Sequence, residues 1–229
     1  MKWFNKFWPF ILIGFITLIF FWPVFKGYIP FPGDLLVSQN PYKSSSFLGF
    51  AAGGYPNKAQ GMDVITEIYP WRYFSIDLLK DFTIPFWNPY NFSGNPQMAN
   101  FQTAIFYPFN VLYFILPFNL SWTLIMMLQP LLAGFFMYLF LRKSLSLSNI
   151  ASFLGAISFA FCSYITVWIQ YSNIGSTLLW LPLILFFTKR YFEKVNVFNF
   201  LGICIPLIIA MLAGYIQGLF YIYIVSFLY

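Results

Sequence analysis

The chain has 229 residues, of which 60% are hydrophobic, 24% are aromatic and only 8% are charged. A soluble domain keeps about a quarter of its residues charged, so this composition excludes a soluble globular protein and indicates that a lipid bilayer surrounds much of the chain. The net charge of +6 comes from basic residues that stand in pairs and triplets between apolar runs. That distribution is typical of membrane topology and not of a nucleic-acid-binding surface.

Five uncharged apolar runs predict five transmembrane helices, because a helix needs about 20 apolar residues to cross the hydrocarbon core. The expected spans are 7–25, 121–141, 149–169, 174–188 and 198–229. The first follows Lys2 and Lys6 and resembles a signal peptide, but it is long for one and no small-residue cleavage site follows. We therefore predict an uncleaved first span. Because the last apolar run continues to Tyr229, we expect the chain to be the N-terminal part of a longer protein.

The segment 26–120 is predicted to be one large extracytoplasmic loop with short helices. It holds five of the six acidic residues, and its aromatic content indicates a folded loop on the membrane surface and not a disordered tail. Within it, 103–118 is apolar, short and interrupted by Pro108 and Pro117, as expected for a re-entrant or interfacial segment.

A non-crossing 103–118 segment leaves every basic residue outside the loop on one side of the membrane. The positive-inside rule makes that side cytoplasmic. These residues are Lys2, Lys6, Arg142, Lys143, Lys189, Arg190 and Lys194. The predicted fold is therefore an all-α polytopic protein of the cytoplasmic membrane, with its N-terminus inside and its first long loop outside.

Asp34 lies shortly after the first predicted span, in the turn Phe31-Pro32-Gly33-Asp34-Leu35-Leu36. A carboxylate held there, near the outer surface, could act as a general base toward a docked hydroxyl or amide. The alternative is an N-cap for a helix that begins at Leu35. Spacing alone favours the cap.

Asp63 and Glu67 stand one turn apart if their segment is helical. Two like charges on one helix face suit a divalent cation such as Mg²⁺ or Mn²⁺, held by oxygen ligands. Alternatively, Arg72 neutralises them. The planar guanidinium of Arg72 is equally suited to a phosphate group, so ion pairing and ligand binding both stay open.

The segment 87–102 mixes aromatic rings with neutral carboxamides, a combination that binds sugars through ring stacking and hydrogen bonds to hydroxyls. The candidate substrate-binding residues there are Trp87, Asn88, Asn91, Asn95, Asn100 and Gln102. The alternative, which composition alone favours, is an irregular loop whose amides satisfy its own turns.

Several absences narrow the function. The chain has no histidine, and no nucleotide-binding glycine motif is present. The predicted spans carry no mid-membrane charge, which ion-coupled transporters usually need on the ion path. These absences disfavour nucleotide-dependent and ion-coupled chemistry.

In their order along the chain, several segments resemble the start of the bacterial YfhO-type membrane proteins. The resemblance covers most of the 229 residues, although members of the family are longer. One family motif, Gly-His-Pro-Gln, reads Gly214-Tyr215-Ile216-Gln217 here and lacks the histidine. The matching segments are Gly33-Asp34-Leu35-Leu36, Tyr69-Pro70-Trp71-Arg72, Pro85-Phe86-Trp87-Asn88-Pro89-Tyr90, Phe92-Ser93-Gly94-Asn95-Pro96, Phe106-Tyr107-Pro108 and Leu128-Gln129-Pro130.

The YfhO-type family is similar to the GT-C glycosyltransferases, which move a sugar from a polyprenyl-phosphate donor to a cell-envelope acceptor. The resemblance implies that Asp34 is the catalytic base, with Asp63 as the second candidate. A basic side chain would then bind the departing phosphate, with Arg72 as the first candidate and Lys80 or Lys58 as the alternatives. The implied partners are a polyprenyl-phosphate-linked sugar and an envelope glycan or glycolipid. A lipid or glycolipid flippase and a non-catalytic glycan-binding scaffold are the alternatives.

Overall fold

The computed structural model describes residues 4–44, 46, 49–54, 56 and 60–229. The chain is mainly helical, and the only strands among these residues are two of two residues each. Two helices, Phe118–Ser144 and Asn149–Tyr171, are long and apolar enough to cross a membrane. Phe7–Phe20, Val197–Leu212 and Ile216–Leu228 are shorter apolar helices. The expected helical class is therefore confirmed, with two membrane-length helices among the five expected.

The elements are numbered along the chain. The α-helices are α1 (Phe4–Phe20), α2 (Tyr69–Lys80), α3 (Leu112–Ile115), α4 (Phe118–Leu139), α5 (Asn149–Ala160), α6 (Ser163–Trp168), α7 (Asn173–Leu178), α8 (Leu181–Glu193), α9 (Val197–Leu212) and α10 (Ile216–Leu228). The antiparallel strands are β1 (Trp87–Asn88) and β2 (Asn95–Pro96). Short 3₁₀-helices cover Trp22–Lys26, Gly33–Ser38, Tyr42–Ser44, Phe101–Thr103, Pro108–Val111 and Ile169–Tyr171, and π-helical turns cover Val64–Ile68 and Phe140–Ser144.

Small residues let α1, α4 and α5 approach closely. A Cβ added to Gly134 in α4 would lie 2.8 Å from the Cγ2 of Ile13 and 3.4 Å from the Cβ of Ala160. Ala133 and Ala156 are fully buried at the same contact surfaces. Close backbone approach of this kind is how apolar helices pack where no hydrophobic effect drives them together.

The predicted single span 198–229 is wrong, because the structure divides it into two antiparallel helices. Helix α9 ends at Leu212, and Gly214 takes a φ of +89° in the turn before α10. The chain reverses there, since the ring of Tyr229 returns to within 5.9 Å of the Phe140 ring at the end of α4. Hydropathy missed the reversal because the turn is itself apolar, and only the glycine marks it.

The predicted span 174–188 is also interrupted. It corresponds to α7 and α8, which are separated by a turn at 179–180, with Pro182 in the first turn of α8. Proline is tolerated there because the first turn of a helix has no backbone acceptor for its missing N–H.

The segment 103–118 contains no long helix. It forms two 3₁₀ turns and the four-residue α3, and Ser121 donates to the carbonyl of Leu112 at 2.9 Å, which fastens α3 to the start of α4. The expectation that this segment does not cross as a continuous helix agrees with these elements.

The long loop and the basic residues between 142 and 194 lie at opposite ends of the helices. Lys189 donates to the Ser144 carbonyl, and the Arg142 Nε lies 2.6 Å from the Oδ1 of Asn149. At the other end, the loop backbone at Phe101 packs against Gly214. The α4–α5 turn is therefore remote from the loop, which covers the ends of α4, α6 and α9.

We expect Gly214→Ala to destabilise the contact between the loop and the α9–α10 turn. A Cβ there would lie 2.8 Å from the Phe101 carbonyl oxygen, on a backbone already at φ +89°. Gly27→Ala is the matched control, because Gly27 has a φ of +86° but no atom within 4 Å of the added Cβ. Left-handed strain costs both variants about 1–2 kcal/mol, and overpacking adds about 1–3 kcal/mol for Gly214 alone. Equal unfolding temperatures in detergent would contradict the contact.

Candidate functional site

The turn that carries Asp34 is held firmly against the start of α4. The indole N–H of Trp122 donates to the Pro30 carbonyl at 3.3 Å, and the Phe31 ring lies 4.9 Å from the Tyr69 ring. Leu35 is buried below the turn. These contacts fix the backbone on both sides of Asp34, whose side chain is half-buried.

The alternative role of Asp34 as a helix cap is wrong. The 3₁₀-helix begins at Gly33, so Pro32 occupies the N-cap position and Asp34 lies inside the first turn. An N-cap must precede the first helical residue to bind the exposed amides. The general-base prediction for Asp34 stays a prediction.

The second acidic segment lies next to the first. Gly61, with φ +114°, packs on the turn: an added Cβ would be 3.5 Å from the Cγ of Pro32. Two residues later, Asp63 begins the π-helical turn Val64–Ile68, and its Oδ2 lies 3.4 Å from the donating hydroxyl of Tyr171. The fold therefore brings the Asp34 turn, Asp63 and the end of the second membrane-length helix to one place.

Glu67 faces Asp63 across one turn. Partial burial, and secondly the negative charge of Asp63, raise the pKa of the Glu67 carboxyl. Among the residues that the structure describes, no three His, Cys, Asp or Glu side chains group as metal ligands. The predicted Mg²⁺ or Mn²⁺ site would rest on these two carboxylates, so the other oxygen ligands that such ions need would come from water or substrate.

We expect Glu67→Gln to stabilise the protein slightly, and only above acidic pH. A raised folded-state pKa means that the wild type has its full stability below the unfolded pKa and loses part of it as pH rises through the folded pKa. Glutamine removes that loss. Because the Glu67 carboxyl is only partly buried and solvent screens its interaction with Asp63, the gain is below about 0.5 kcal/mol.

Thermal unfolding of Glu67→Gln and of the wild type across pH 4 to 8, in roughly unit steps, measures the difference in unfolding free energy between the two proteins. This difference should increase with pH. In an Asp63→Asn background it should shrink but persist, since burial is the larger cause. A difference that falls with rising pH would contradict the assignment.

Arg72 does not neutralise the acidic pair, so that alternative is wrong. Its side chain is 2% exposed and contacts only neutral groups. The Nε donates to the Thr103 carbonyl at 3.4 Å, another nitrogen donates to the Ser172 hydroxyl, and the guanidinium lies 5.7 Å from the centre of the Trp122 ring.

The positive charge of Arg72 therefore has no acidic partner among the described residues, which include all six acidic residues of the chain. A buried charge without a counter-charge is costly. Such a position is suited to a negatively charged ligand group, which would supply the missing partner.

Further unpartnered donors are buried close to Arg72. The hydroxyls of Tyr107 and Ser176 and the indole N–H of Trp180 are adjacent, yet none has a partner within hydrogen-bonding geometry in the part of the chain that is described. Burial raises the pKa of the Tyr107 phenol, and its hydroxyl and indole neighbours and Arg72 oppose the rise only partly. The group therefore stays a neutral donor at physiological pH.

Two of the predicted sugar-binding amides are used inside the loop. The Asn88 Nδ2 donates to the Gln97 Oε1 at 3.0 Å, while its Oδ1 accepts from the Tyr90 amide at 2.9 Å. Asn100 accepts from the Gln102 amide and caps a 3₁₀-helix. For Asn88 and Asn100 the alternative is the better description, because their side-chain amides form hydrogen bonds within the loop.

The other candidates remain available along the β1–β2 hairpin. The Trp87 ring is half-exposed and packs over Gly94, where an added Cβ would clash with the indole. Asn91 is half-exposed and Gln102 is exposed. The Asn95 Oδ1 is buried without a hydrogen-bond partner among the described residues.

Sequence reasoning counted Gln97 only among the carboxamides of the 87–102 segment and missed that it fixes the hairpin on α2. Its side chain is fully buried, and its Nε2 donates to the Trp71 carbonyl and the Ser75 hydroxyl, both at 2.9 Å. Sequence reasoning also missed Tyr171 and Trp122, because each contacts the loop from a distant apolar run. Only their polar atoms, at the ends of those runs, could have signalled a contact.

An apolar cleft of about 310 Å³ opens between the end of α1 and the end of the second membrane-length helix. Its walls are the end of α1 with the residues that follow it, and the end of the second membrane-length helix. Its lining includes Pro30, four residues before Asp34, and Gln170, next to Tyr171. The other lining residues include Phe20, Phe21, Val24, Tyr28, Thr166 and Ile169.

Comparison with known proteins returned no matching family model, no matching curated protein and no matching solved structure.

Proposed function

We propose that this chain is part of a YfhO-type, GT-C-like glycosyltransferase of the cytoplasmic membrane. In this proposal α1, α4, α5–α6, α7–α8, α9 and α10 cross the bilayer. The end with Arg142, Lys143, Lys189, Arg190 and Lys194 faces the cytoplasm, as the positive-inside rule requires. The long loop and its acidic residues then lie outside.

The observation that carries the proposal is the apolar cleft whose lining includes Pro30, four residues before Asp34, and Gln170, the neighbour of the Tyr171 that donates to Asp63. Its wall is formed by helices whose outer surfaces would face lipid. A polyprenyl chain fits such a cleft, because its binding needs apolar surface and no nucleotide-binding motif. The phosphate and sugar of the same donor would then emerge at the acidic residues.

In the proposed reaction, the Asp34 carboxylate accepts the proton of an acceptor hydroxyl as that oxygen bonds to the anomeric carbon of the sugar. The bond between the anomeric carbon and the phosphate oxygen breaks, and polyprenyl phosphate leaves with the electron pair. Asp63 is the second candidate base. With Glu67 it is also the proposed site for a divalent ion, which would bind and neutralise phosphate oxygens when present.

Arg72 is the proposed partner of the donor phosphate. The lack of an acidic partner supports this role, and the donors Tyr107, Ser176 and Trp180 add to it. Since Arg72 is almost fully enclosed by the 101–104 segment and the turn at Ser172, binding would require one of these to move. Trp87, Asn91, Asn95 and Gln102 are the proposed sugar contacts.

Membrane vesicles that contain the full-length protein test this function directly. They are supplied with a polyprenyl-phosphate-linked sugar carrying a radiolabel in the sugar, and with extracted envelope glycan as acceptor. Transfer of the label to the glycan is the expected result. Relocation of unchanged donor across the bilayer would indicate a flippase, and retention of glycan without transfer would indicate a scaffold. Either outcome contradicts the proposal.

A further inference from the structure

The loop between α2 and β2 exposes a set of large aromatic side chains. Phe82 and Phe92 are fully exposed, and Phe86 and Tyr90 are 63% and 80% exposed. Together with Ile84, which is about half-exposed, these residues form the surface that we call the hairpin tip. Monomeric proteins in water rarely leave a contiguous apolar surface of this kind uncovered.

The backbone holds these rings outward. Phe82 and Phe92 have φ values of +56° and +52°, a region that bulky residues seldom occupy. The hairpin itself is fastened to α2 by the Asn88–Gln97 pair and by the Gln97 hydrogen bond to Ser75. The loop that carries these rings is therefore firmly attached, and the exposure of the rings is a feature of the fold.

The charge pattern identifies the partner. No charged residue occurs anywhere in 82–141, which includes the hairpin tip, α3 and all of α4. Surfaces that face water or that recognise soluble partners normally carry charges around their apolar residues. Aromatic rings mixed with neutral amides are instead typical of the zone between lipid headgroups and acyl chains.

The position of the tip agrees with that zone. The Tyr69 hydroxyl, in the first turn of α2, donates to the Asn119 Oδ1 at the start of α4 at 2.9 Å. Tyr90 packs on Phe74, five residues further along α2, with ring centres 5.6 Å apart. The five residues from Tyr69 to Phe74 advance α2 by roughly 7.5 Å. This distance is comparable to the thickness of the headgroup layer on each side of the bilayer, about 5–8 Å. Phe114 and Ile115 of α3, just before α4, are also exposed apolar side chains.

We propose that the hairpin tip inserts into the outer interface of the bilayer and anchors the long loop to the lipid. Phe82, Phe86, Tyr90 and Phe92 occupy the boundary between headgroups and acyl chains, and the neighbouring amides lie among the headgroups. This inference rests on the proposed membrane crossing of α4 and is independent of any glycosyl transfer.

Site-directed spin labelling measures the depth of the tip. Cys162 and Cys204 are first replaced by alanine, and one cysteine is then introduced at a time for a nitroxide label. The test variant is Phe92→Cys. Phe15→Cys, on the exposed face of α1, is the bilayer control, and Asp77→Cys, exposed on α2, is the water control. The full-length protein is reconstituted into phosphatidylcholine–phosphatidylglycerol vesicles.

At Phe92 we expect the label to relax faster with oxygen than with a water-soluble nickel chelate, giving a depth between those of the two controls. A label at Phe92 as accessible to the chelate as the label at Asp77, with Phe15 shielded, would overturn the anchor while leaving the membrane topology standing. Chelate access at Phe15 as well would overturn both. Neither outcome bears on glycosyl transfer, which the vesicle assay measures separately.

Discussion

Asp34→Asn is expected to lower the rate of glycosyl transfer by about 10²–10⁴-fold, the usual contribution of a positioned general base. Asparagine matches aspartate in size, so the turn held by Trp122, Phe31 and Leu35 should keep its conformation. The amide cannot accept the acceptor's proton, and the loss should therefore appear in kcat with little change in donor binding.

Asp77→Asn is the matched control for this variant. Asp77 is exposed on α2 and has no proposed role, so its substitution should leave the transfer rate unchanged. Asp63→Asn completes the set. Full activity of Asp34→Asn with loss in Asp63→Asn would assign the base to Asp63, and full activity of both would contradict the proposed chemistry.

Trp122→Ala should cost about 3–5 kcal/mol of unfolding free energy, the range for truncating a buried aromatic side chain. Trp122 is completely buried. Its ring lies 5.1 Å from that of Tyr69 and 6.4 Å from that of Phe31, and its indole N–H donates to Pro30. Trp122 thus joins α4 to both the Asp34 turn and α2, so the long loop should loosen first.

Thermal unfolding in detergent compares Trp122→Ala with two other variants. Trp122→Phe keeps most of the ring but leaves the Pro30 carbonyl without its donor, for an intermediate loss of about 1–3 kcal/mol. Trp87→Ala removes a half-exposed tryptophan and should lose least. If the unfolding temperature of Trp122→Ala were close to that of Trp87→Ala, Trp122 would not be the residue that holds the loop on α4.

Composition and apolar runs were sufficient to predict a mainly helical chain with two membrane-length helices. Run 121–141 corresponds closely to the first of them, and run 149–169 to the second, which a turn at 161–162 divides into α5 and α6. Charges or polar turns bound both runs. The run 198–229 has no such boundary, so its reversal at Gly214 was invisible to hydropathy. A single glycine carries too little signal to outweigh more than twenty apolar neighbours.

The candidate site was predictable in its residue types but not in its pairings. Sequence spacing placed Asp63 and Glu67 on one face, and the raised pKa of Glu67 agrees with that. Spacing also suggested that Arg72 could neutralise them. In the fold α2 turns Arg72 toward Thr103 and Ser172 instead, which are 31 and 100 residues away in sequence. Contacts at such separations depend on tertiary packing, which local patterns do not encode.

We propose that a lipid-linked sugar phosphate occupies the apolar cleft whose lining includes Pro30 and Gln170. Photolabelling tests it most directly, with a polyprenyl-phosphate-linked sugar that carries a diazirine near the phosphate end of its lipid chain. After irradiation of the full-length protein in vesicles, peptide mass spectrometry locates the label. Labelling of 20–30 and 166–170, abolished by excess unlabelled donor, is the predicted result. Label confined to other helices, or label that excess donor does not displace, would contradict the claim.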